Sequence, residues 1–235
     1  MAKTVIRWLG HAMFQVVSPT GKVIYIDPWV EGNPSCPVTL QDLDRADVVV
    51  VTHNHHDHAG QTVELIAKTG ATLVSMVETT EALMKAGVPA ERCLFGGIGM
   101  NIGGQVVVDG IKFTMTQAVH SSASGSATGF VIELENGRTL YHAGDTGIFA
   151  DMALIGELYP LDVAMLPIGD VFTMGPKQAA KAVSLLQPKV VIPMHFGSFP
   201  ILVQDPAPFV AAVALSRPQT RVVVLKPGDT WEVDA

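Results

Sequence analysis

Charged side chains are scarce in this 235-residue chain: Asp, Glu, Lys and Arg make up 16%, against roughly 25% in an ordinary globular domain. Apolar residues make up 48%, so the composition excludes intrinsic disorder, which needs low hydrophobicity and high charge. Basic residues are the rarer sign, 15 against 22 acidic for a net charge of −7, and no general nucleic-acid-binding surface is expected. There are only two cysteines, Cys36 and Cys93. They form no disulfide framework, and a reducing cytoplasm is the expected compartment. Long apolar runs are missing as well. Val48 to Val51 and Phe209 to Leu215 fall far short of the about 20 residues that span a bilayer. The first residues alternate and carry Lys3, Arg7 and His11, unlike a secretory signal. No membrane contact is expected.

What is present is alternation of strand-like and helix-like segments. Strands are expected at Thr4 to Leu9, Met13 to Ser18, Lys22 to Asp27, Asp47 to Thr52 and Ala71 to Val77, and helices at Gly60 to Lys68 and Thr80 to Ala86. Gly70 and Gly87 serve as helix stops. A second half begins near residue 104. It opens with strands at Gln105 to Val108, Ile111 to Val119, Thr128 to Glu135 and Arg138 to His142. Asp109-Gly110 and Asn136-Gly137 are strong hairpin signals within it. Helices at Ile148 to Leu158, Pro176 to Gln187 and Pro208 to Ser216 then alternate with strands at Val163 to Leu166, Lys189 to Ile192 and Arg221 to Leu225. A single domain over 1–235 is expected, built of two similarly planned halves around a two-layered sheet core with helices outside.

Four of the eight histidines are His53, His55, His56 and His58, in Thr52-His53-Asn54-His55-His56-Asp57-His58 directly after the Val48 to Val51 strand. Imidazole and carboxylate suit Zn²⁺ and neighbouring first-row ions. A merely solvated polar loop would not ordinarily set three such histidines and an aspartate against a buried strand. Three further candidates each follow a strand: His120, Asp145 in His142-Ala143-Gly144-Asp145, and His195 in Pro193-Met194-His195-Phe196. Sites in sheet folds with helical connections gather at the C-terminal edges of the strands, so these residues fit one constellation.

The pattern His53-x-His55-x-Asp57-His58, followed by His120, Asp145 and His195, resembles the five-part signature of the metallo-β-lactamase superfamily. The resemblance is closer to its uncharacterised metal-dependent hydrolase branch, similar also to L-ascorbate-6-phosphate lactonases. The residues carrying this are Trp8-Leu9-Gly10-His11-Ala12, Ile26-Asp27-Pro28, Gly32-Asn33-Pro34, Pro167 to Asp170, Phe172 to Pro176 and Pro193 to Phe196. The resemblance implies an α/β fold, a four-layer αβ/βα sandwich of two mixed sheets with helices outside. It implies a dinuclear hydrolase, with His53, His55 and His120 on one divalent ion, Asp57, His58 and His195 on the other, and Asp145 bridging. Zn²⁺ leads among the expected metals, with Mn²⁺ or Fe²⁺ as alternatives. Two ions about 3.5–4 Å apart share a hydroxide and clamp the attacking and leaving oxygens, and Asp57 is the candidate to orient that hydroxide and take its proton. Asp145 at the bridging position fits phosphodiesterase-like and lactonase-like branches better than a true β-lactamase. His55, where oxygen-reducing relatives carry a carboxylate, argues against a redox role.

Around this set, Asp27 is expected to hold a ligating imidazole in one tautomer, and His11 to reach the rim. Asp170 and Thr173 are expected to line the pocket, at a helix N-terminus suited to an anionic group. His56 is expected to point away from the metals, His142 to pack or hydrogen-bond, and Ser121, Ser122, Ser124 and Ser126 to form a mobile pocket wall. The expected substrate is a small, anionic ester, lactone or phosphodiester. The alternatives are an RNA-processing nuclease, which the net charge disfavours, and a non-catalytic metal-binding scaffold, which has no need of seven ligands. The shortage of charge also predicts a homo-oligomer, with Pro208 to Ser216 and the outer face of Gln178 to Leu186 as candidate contacts.

Overall fold

The Val48–Val51 run is the β-branched heart of the molecule, and the computed structural model buries all four valines. The structure describes residues 3–233; residues 1, 2, 234 and 235 of the expected domain lie outside them. The first sheet contains β1 (Thr4–Trp8), β2 (Phe14–Val17), β3 (Val23–Ile26), β4 (Val48–Val51) and β5 (Thr72–Ser75). The second contains β6 (Gln105–Val108), β7 (Ile111–Gln117), β8 (Thr128–Glu133), β9 (Thr139–His142), β10 (Val163–Pro167), β11 (Val190–Met194) and β12 (Arg221–Val222). A last strand, β13 (Thr230–Val233), returns to the first sheet, giving the orders β13-β1-β2-β3-β4-β5 and β12-β11-β10-β9-β8-β7-β6.

The helices are α1 (His56–Ala59), α2 (Thr62–Thr69), α3 (Val77–Ala86), α4 (Met152–Leu158), α5 (Pro176–Leu186) and α6 (Ala207–Ser216). Alternate valines of β4 face opposite ways, as the strand period requires. Val49 and Val51 join Tyr25, Leu73 and residues of α2 and α3 in one core. Val48 and Val50 join Phe113, Phe130 and Met165 of the other sheet, and that core runs on to Val183 and Phe209 of α5 and α6. The fold is thus two mixed sheets face to face, with helices on the outside. Among the described residues no helix is long and apolar enough to cross a membrane.

The structure revises several expected elements. The expected helix Gly60 to Lys68 is preceded by a separate single turn, α1, inside the histidine segment. The helix expected from Thr80 begins at Val77, and the one expected from Ile148 begins at Met152. The last expected strand is only Arg221–Val222. β13 was not expected, because four alternating residues give little periodic signal and its partner β1 lies at the far end of the chain. β13 also means that the first sheet is not wholly a product of the first half. The helices expected to carry an oligomer contact pack together, with Ala179, Ala180, Ala182 and Val183 of α5 and Phe209 and Val213 of α6 buried.

Strand direction decides where the polar residues collect. β1, β3 and β4 run parallel to one another through two antiparallel steps and one parallel step. In the other sheet β7, β9, β10 and β11 share one direction in the same way. The chain therefore leaves β1 toward His11, β3 toward Asp27, β4 toward His53, β7 toward His120, β9 toward Asp145 and β11 toward His195 at the same edge of the sandwich.

Candidate metal centre

Asp145, 3% exposed, lies at the centre of the cluster. Its Oδ2 is 3.2 Å from His58 Nε2, 3.1 Å from His195 Nε2 and 3.6 Å from His120 Nε2. To one side, His53 Nε2 and His55 Nδ1 converge to 2.9 Å, and His53, His55 and His120 can each aim one ligand atom at a common point. To the other side His11, Asp57, His58 and His195 do the same, with His11 Nε2 3.3 Å from Asp57 Oδ2. A third grouping, His53, His58 and Asp145, joins the two.

The tautomers follow from the partners. Asp27 accepts the Thr52 backbone N–H (2.8 Å) and hydroxyl (2.7 Å). Its Oδ2 also lies 2.7 Å from His58 Nδ1. The His58 Nδ1–H therefore donates to Asp27, and Nε2 turns toward Asp145. Because the Thr52 hydroxyl proton is committed to Asp27, the Thr52 oxygen accepts from His53 Nδ1 at 3.1 Å, freeing His53 Nε2 for the cluster. Asp27 thus orients two histidines, one directly and one through Thr52.

Burial pulls His53 down to about 3 and His11 to about 4, and it also lowers His120. These rings are neutral. Burial opposes ionisation of Asp145, but His195 and His58 beside it hold the carboxyl well below its usual range. Burial likewise opposes charge on His58, yet Asp145 and Asp27 raise it well above an ordinary histidine. Burial opposes ionisation of Asp57, but the adjacent His11 imidazole and His58 hold its carboxyl low.

Backbone strain helps place these groups. His11 (φ 53°), Asp27 (φ 49°) and His195 (φ 57°) all adopt the left-handed region, which costs a residue with a Cβ about 1–2 kcal/mol. Such strain persists where the surroundings over-determine it. The His11 carbonyl accepts both the Trp8 indole N–H and the His195 N–H at 2.9 Å, tying the first sheet's edge to a residue of the second.

The donor set fits divalent ions. His58 Nε2, His11 Nε2 and Asp145 Oδ1 are buried and make no well-formed hydrogen bond, although such atoms are normally satisfied. Imidazole nitrogens and carboxylate oxygens converge there, donor types that suit first-row divalent ions. They open onto a cavity of about 650 Å³ lined by His55, His56, Asp57, His120, Ser121, Asp145 and His195, with Phe172, Phe199, Pro200 and Ile201.

Residues 22–196 match the family described as Beta-lactamase superfamily domain. The chain belongs to the beta-lactamase superfamily. It is 48% identical over 232 residues to a UPF0173 metal-dependent hydrolase of Nitratidesulfovibrio vulgaris, covering 99% of this chain and 96% of the relative. It is 50% identical over 226 residues to one of Caldivirga maquilingensis, covering 95% and 96%. Among solved structures it resembles Igni18, a metallo hydrolase of Ignicoccus hospitalis, with 40% identity, a TM-score of 0.89 and full coverage of both chains. It is a metal-dependent hydrolase with the metallo-β-lactamase fold.

Within that superfamily frame, the structure brings together all seven residues read as ligands, with Asp27 beside them; His11, expected at the rim, is instead fully buried behind Asp57, because the left-handed turn after β1 directs it inward. The two other pocket residues are placed differently. Asp170 points outward, its Oδ1 accepting the Val171 N–H at 2.9 Å, and Thr173 is buried against the Met174 carbonyl. Phe172, between them, lines the cavity instead. His56 is exposed yet also lines the cavity, because α1 turns the chain back on itself. Of the four serines only Ser121 reaches the cavity. Ser122 and Ser124 hydrogen-bond to Asn54 (2.8 and 2.7 Å), a fixed rather than mobile wall. His142 donates to the Ala12 carbonyl at 3.0 Å and stands outside the cluster. Four contributors were not anticipated: Thr52, Trp29, Ser198, whose Oγ is 2.6 Å from His11 Nδ1, and the Phe199–Ile201 wall. Thr52 had a signal in its adjacency to His53; the others had none at this range.

Proposed function

We propose that this chain is a dinuclear hydrolase of small esters, lactones or phosphodiesters, with Zn²⁺ the first candidate and Mn²⁺ or Fe²⁺ the alternatives. The observation that carries the reading is the position of Asp145 Oδ2, within 3.6 Å of ring nitrogens from both groups of histidines. A carboxylate has two oxygens and can serve two ions, whereas each imidazole presents one nitrogen. His53, His55 and His120 would hold one ion, and Asp57, His58 and His195 the other. Bound there, the ions would supply a nucleophilic hydroxide at neutral pH and clamp the attacking and leaving oxygens.

The remaining chemistry belongs to the chain. Asp57 is ionised, lines the cavity and is placed to take a proton at Oδ2. His11 sits behind that oxygen and orients it. In ester hydrolysis the water oxygen bonds to the acyl carbon and the bond to the leaving oxygen breaks. One proton ends on the leaving oxygen, and the acid formed gives up the other. No Lys or Arg lines the cavity among the described residues, which weighs against an RNA substrate and against a dedicated anion clamp. Seven convergent donors weigh against a scaffold.

Metal content by plasma emission on reconstituted protein, followed by a panel of phosphodiester, lactone and carboxylic-ester substrates, tests the reading. Two equivalents of metal and metal-dependent turnover are expected; a protein that takes up no metal refutes it. Self-association belongs to the same reading. Leu154, Leu158 and Leu215 stay more than half exposed on a chain with few charges, and a mass above one chain in light scattering is expected.

A further inference from the structure

The cavity over the metal residues has an apolar outer half that hydrolysis itself does not require. Phe172 and Ile201 are 55% and 61% exposed, yet both line the same cavity together with Phe199 and Pro200. Large apolar side chains exposed together, rimming a concave site, mark a place where a ligand is bound. These side chains stand on a stiff frame. The loop that follows β10 holds Asp170 (φ 60°) and Val171 (φ 54°) in the left-handed region, and a β-branched residue there is a genuine outlier. The turn they make presents Phe172. The loop that follows β11 is stitched to it by the Val203 N–H on the Gly169 carbonyl (2.9 Å) and braced by Gln204 Nε2 on the carbonyls of Phe199 (2.8 Å) and Leu202 (2.7 Å). Phe199 stacks on buried Trp29 with centroids 5.6 Å apart, and Trp29 meets His11 edge-on at 5.1 Å. The apolar wall is therefore continuous with the metal residues.

We propose that this wall receives the uncharged, apolar limb of a carboxylic ester or lactone, and that Phe172, Phe199 and Ile201 select for it. This rests on the hydrolase reading above and narrows it, replacing the anionic substrate expected from sequence. A binding site for an anionic limb would place a Lys or Arg at the mouth to offset a chain of net charge −7; among the described residues none lines it. A volume of about 650 Å³ is that of a small-molecule site.

The test uses the full-length, Zn²⁺-loaded protein and two readouts. The first is kcat/KM for 4-nitrophenyl acetate, butyrate and hexanoate, the anionic 4-nitrophenyl hemisuccinate, and bis(4-nitrophenyl) phosphate. Each buried methylene contributes about fourfold, so butyrate, with two more, should exceed acetate by about fifteenfold and exceed the hemisuccinate by more. Phe172→Ala and Ile201→Ala should each shrink that gain to about threefold. The second readout is the fluorescence of the neutral probe N-phenyl-1-naphthylamine, expected to bind the wild type and to bind both variants at least fivefold more weakly. Both side chains are exposed, so neither substitution threatens the fold. A flat ester series, preference for the hemisuccinate or the phosphodiester, or probe binding unaffected in both variants would overturn the proposal. So would a dimer that both substitutions dissociate, because the wall would then be a contact with a second copy. Should no ester turn over at all, the ester-hydrolase reading fails by itself, and the probe titration still decides whether the wall binds an apolar group.

Discussion

His58 Nδ1 lies 2.7 Å from Asp27 Oδ2, and both side chains are fully buried. The contact commits the Nδ1–H to Asp27, so Nε2 is the nitrogen turned toward Asp145 and open to a metal once its proton is displaced. Burial alone would discharge His58, and burial alone would protonate Asp27; each is held ionised by the other and, for His58, by Asp145. The pair is thus an electrostatic support for the metal cluster that never faces the cavity.

Asp27→Asn tests that support. The amide oxygen can still accept the Thr52 N–H, but the amide nitrogen cannot accept from His58 Nδ1. Metal affinity should fall by about 10–100-fold, as when such a supporting partner is lost, with the circular dichroism spectrum retained. Competition against a chelating dye measures it, and unchanged affinity would remove Asp27 from this role.

His55→Ala and Asp145→Ala should each abolish hydrolysis and lower metal content while the fold persists. The two cores, built on Val48 and Val49 with their neighbours, do not depend on either side chain. Wild-type turnover in either variant on any substrate found would refute the ligand assignment.

Gly169 is a steric requirement of the site. A Cβ there would lie 2.1 Å from the His195 carbonyl oxygen and 2.8 Å from its Nδ1. Gly169→Ala should displace His195, cost about 1–3 kcal/mol as overpacking does, and reduce bound metal by one equivalent. Metal stoichiometry and a thermal melt read the two effects separately.

Acid should release the metal. Histidine ligands bind metal only when neutral. His58, raised well above the ordinary value by Asp145 and Asp27, carries a proton in the metal-free site that a bound ion must displace, and acidification returns it. Occupancy and activity should fall together below about pH 6, near the ordinary histidine value. Full metal retention after dialysis at pH 4 would contradict a histidine-rich site.

Asp162 makes a separate pH prediction, remote from the metals. It receives Lys189 (2.8 Å), Arg138 (2.9 Å) and the Thr139 N–H (2.9 Å). Burial opposes its ionisation, but these partners hold its pKa below the ordinary 3.8. A depressed carboxylate stabilises the fold above its unfolded pKa and loses that contribution as pH falls through the folded value. Asp162→Ala should therefore cost about 2 kcal/mol at pH 7, with the difference from wild type shrinking below about pH 4. Urea unfolding at pH 7 and pH 3 would show it.

Much of this was legible in the residues themselves. The four-valine run and the hairpin signals specify local geometry, because strand burial and turn chemistry depend on neighbours in the chain. The segment His53 to His58 announces metal chemistry, because a divalent ion needs several donors and one loop supplies four of them. The order of strands and helices likewise implies a layered sandwich, since each element has one face to bury. Tertiary structure alone decided the rest. Whether His120, Asp145 and His195 meet His53 depends on strand directions in two separate sheets. The pairing of β13 with β1 joins opposite chain ends, and no local pattern encodes it. The left-handed turns at His11, Asp27 and His195 are non-glycine conformations that propensity would not choose; packing imposes them. The apolar mouth formed by Phe172 and Ile201 comes from two loops stitched together by backbone hydrogen bonds. Sequence alone thus carried the chemistry of the donors, and the fold set their distances, tautomers and the character of the cavity above them, since these depend on contacts between residues far apart in the chain.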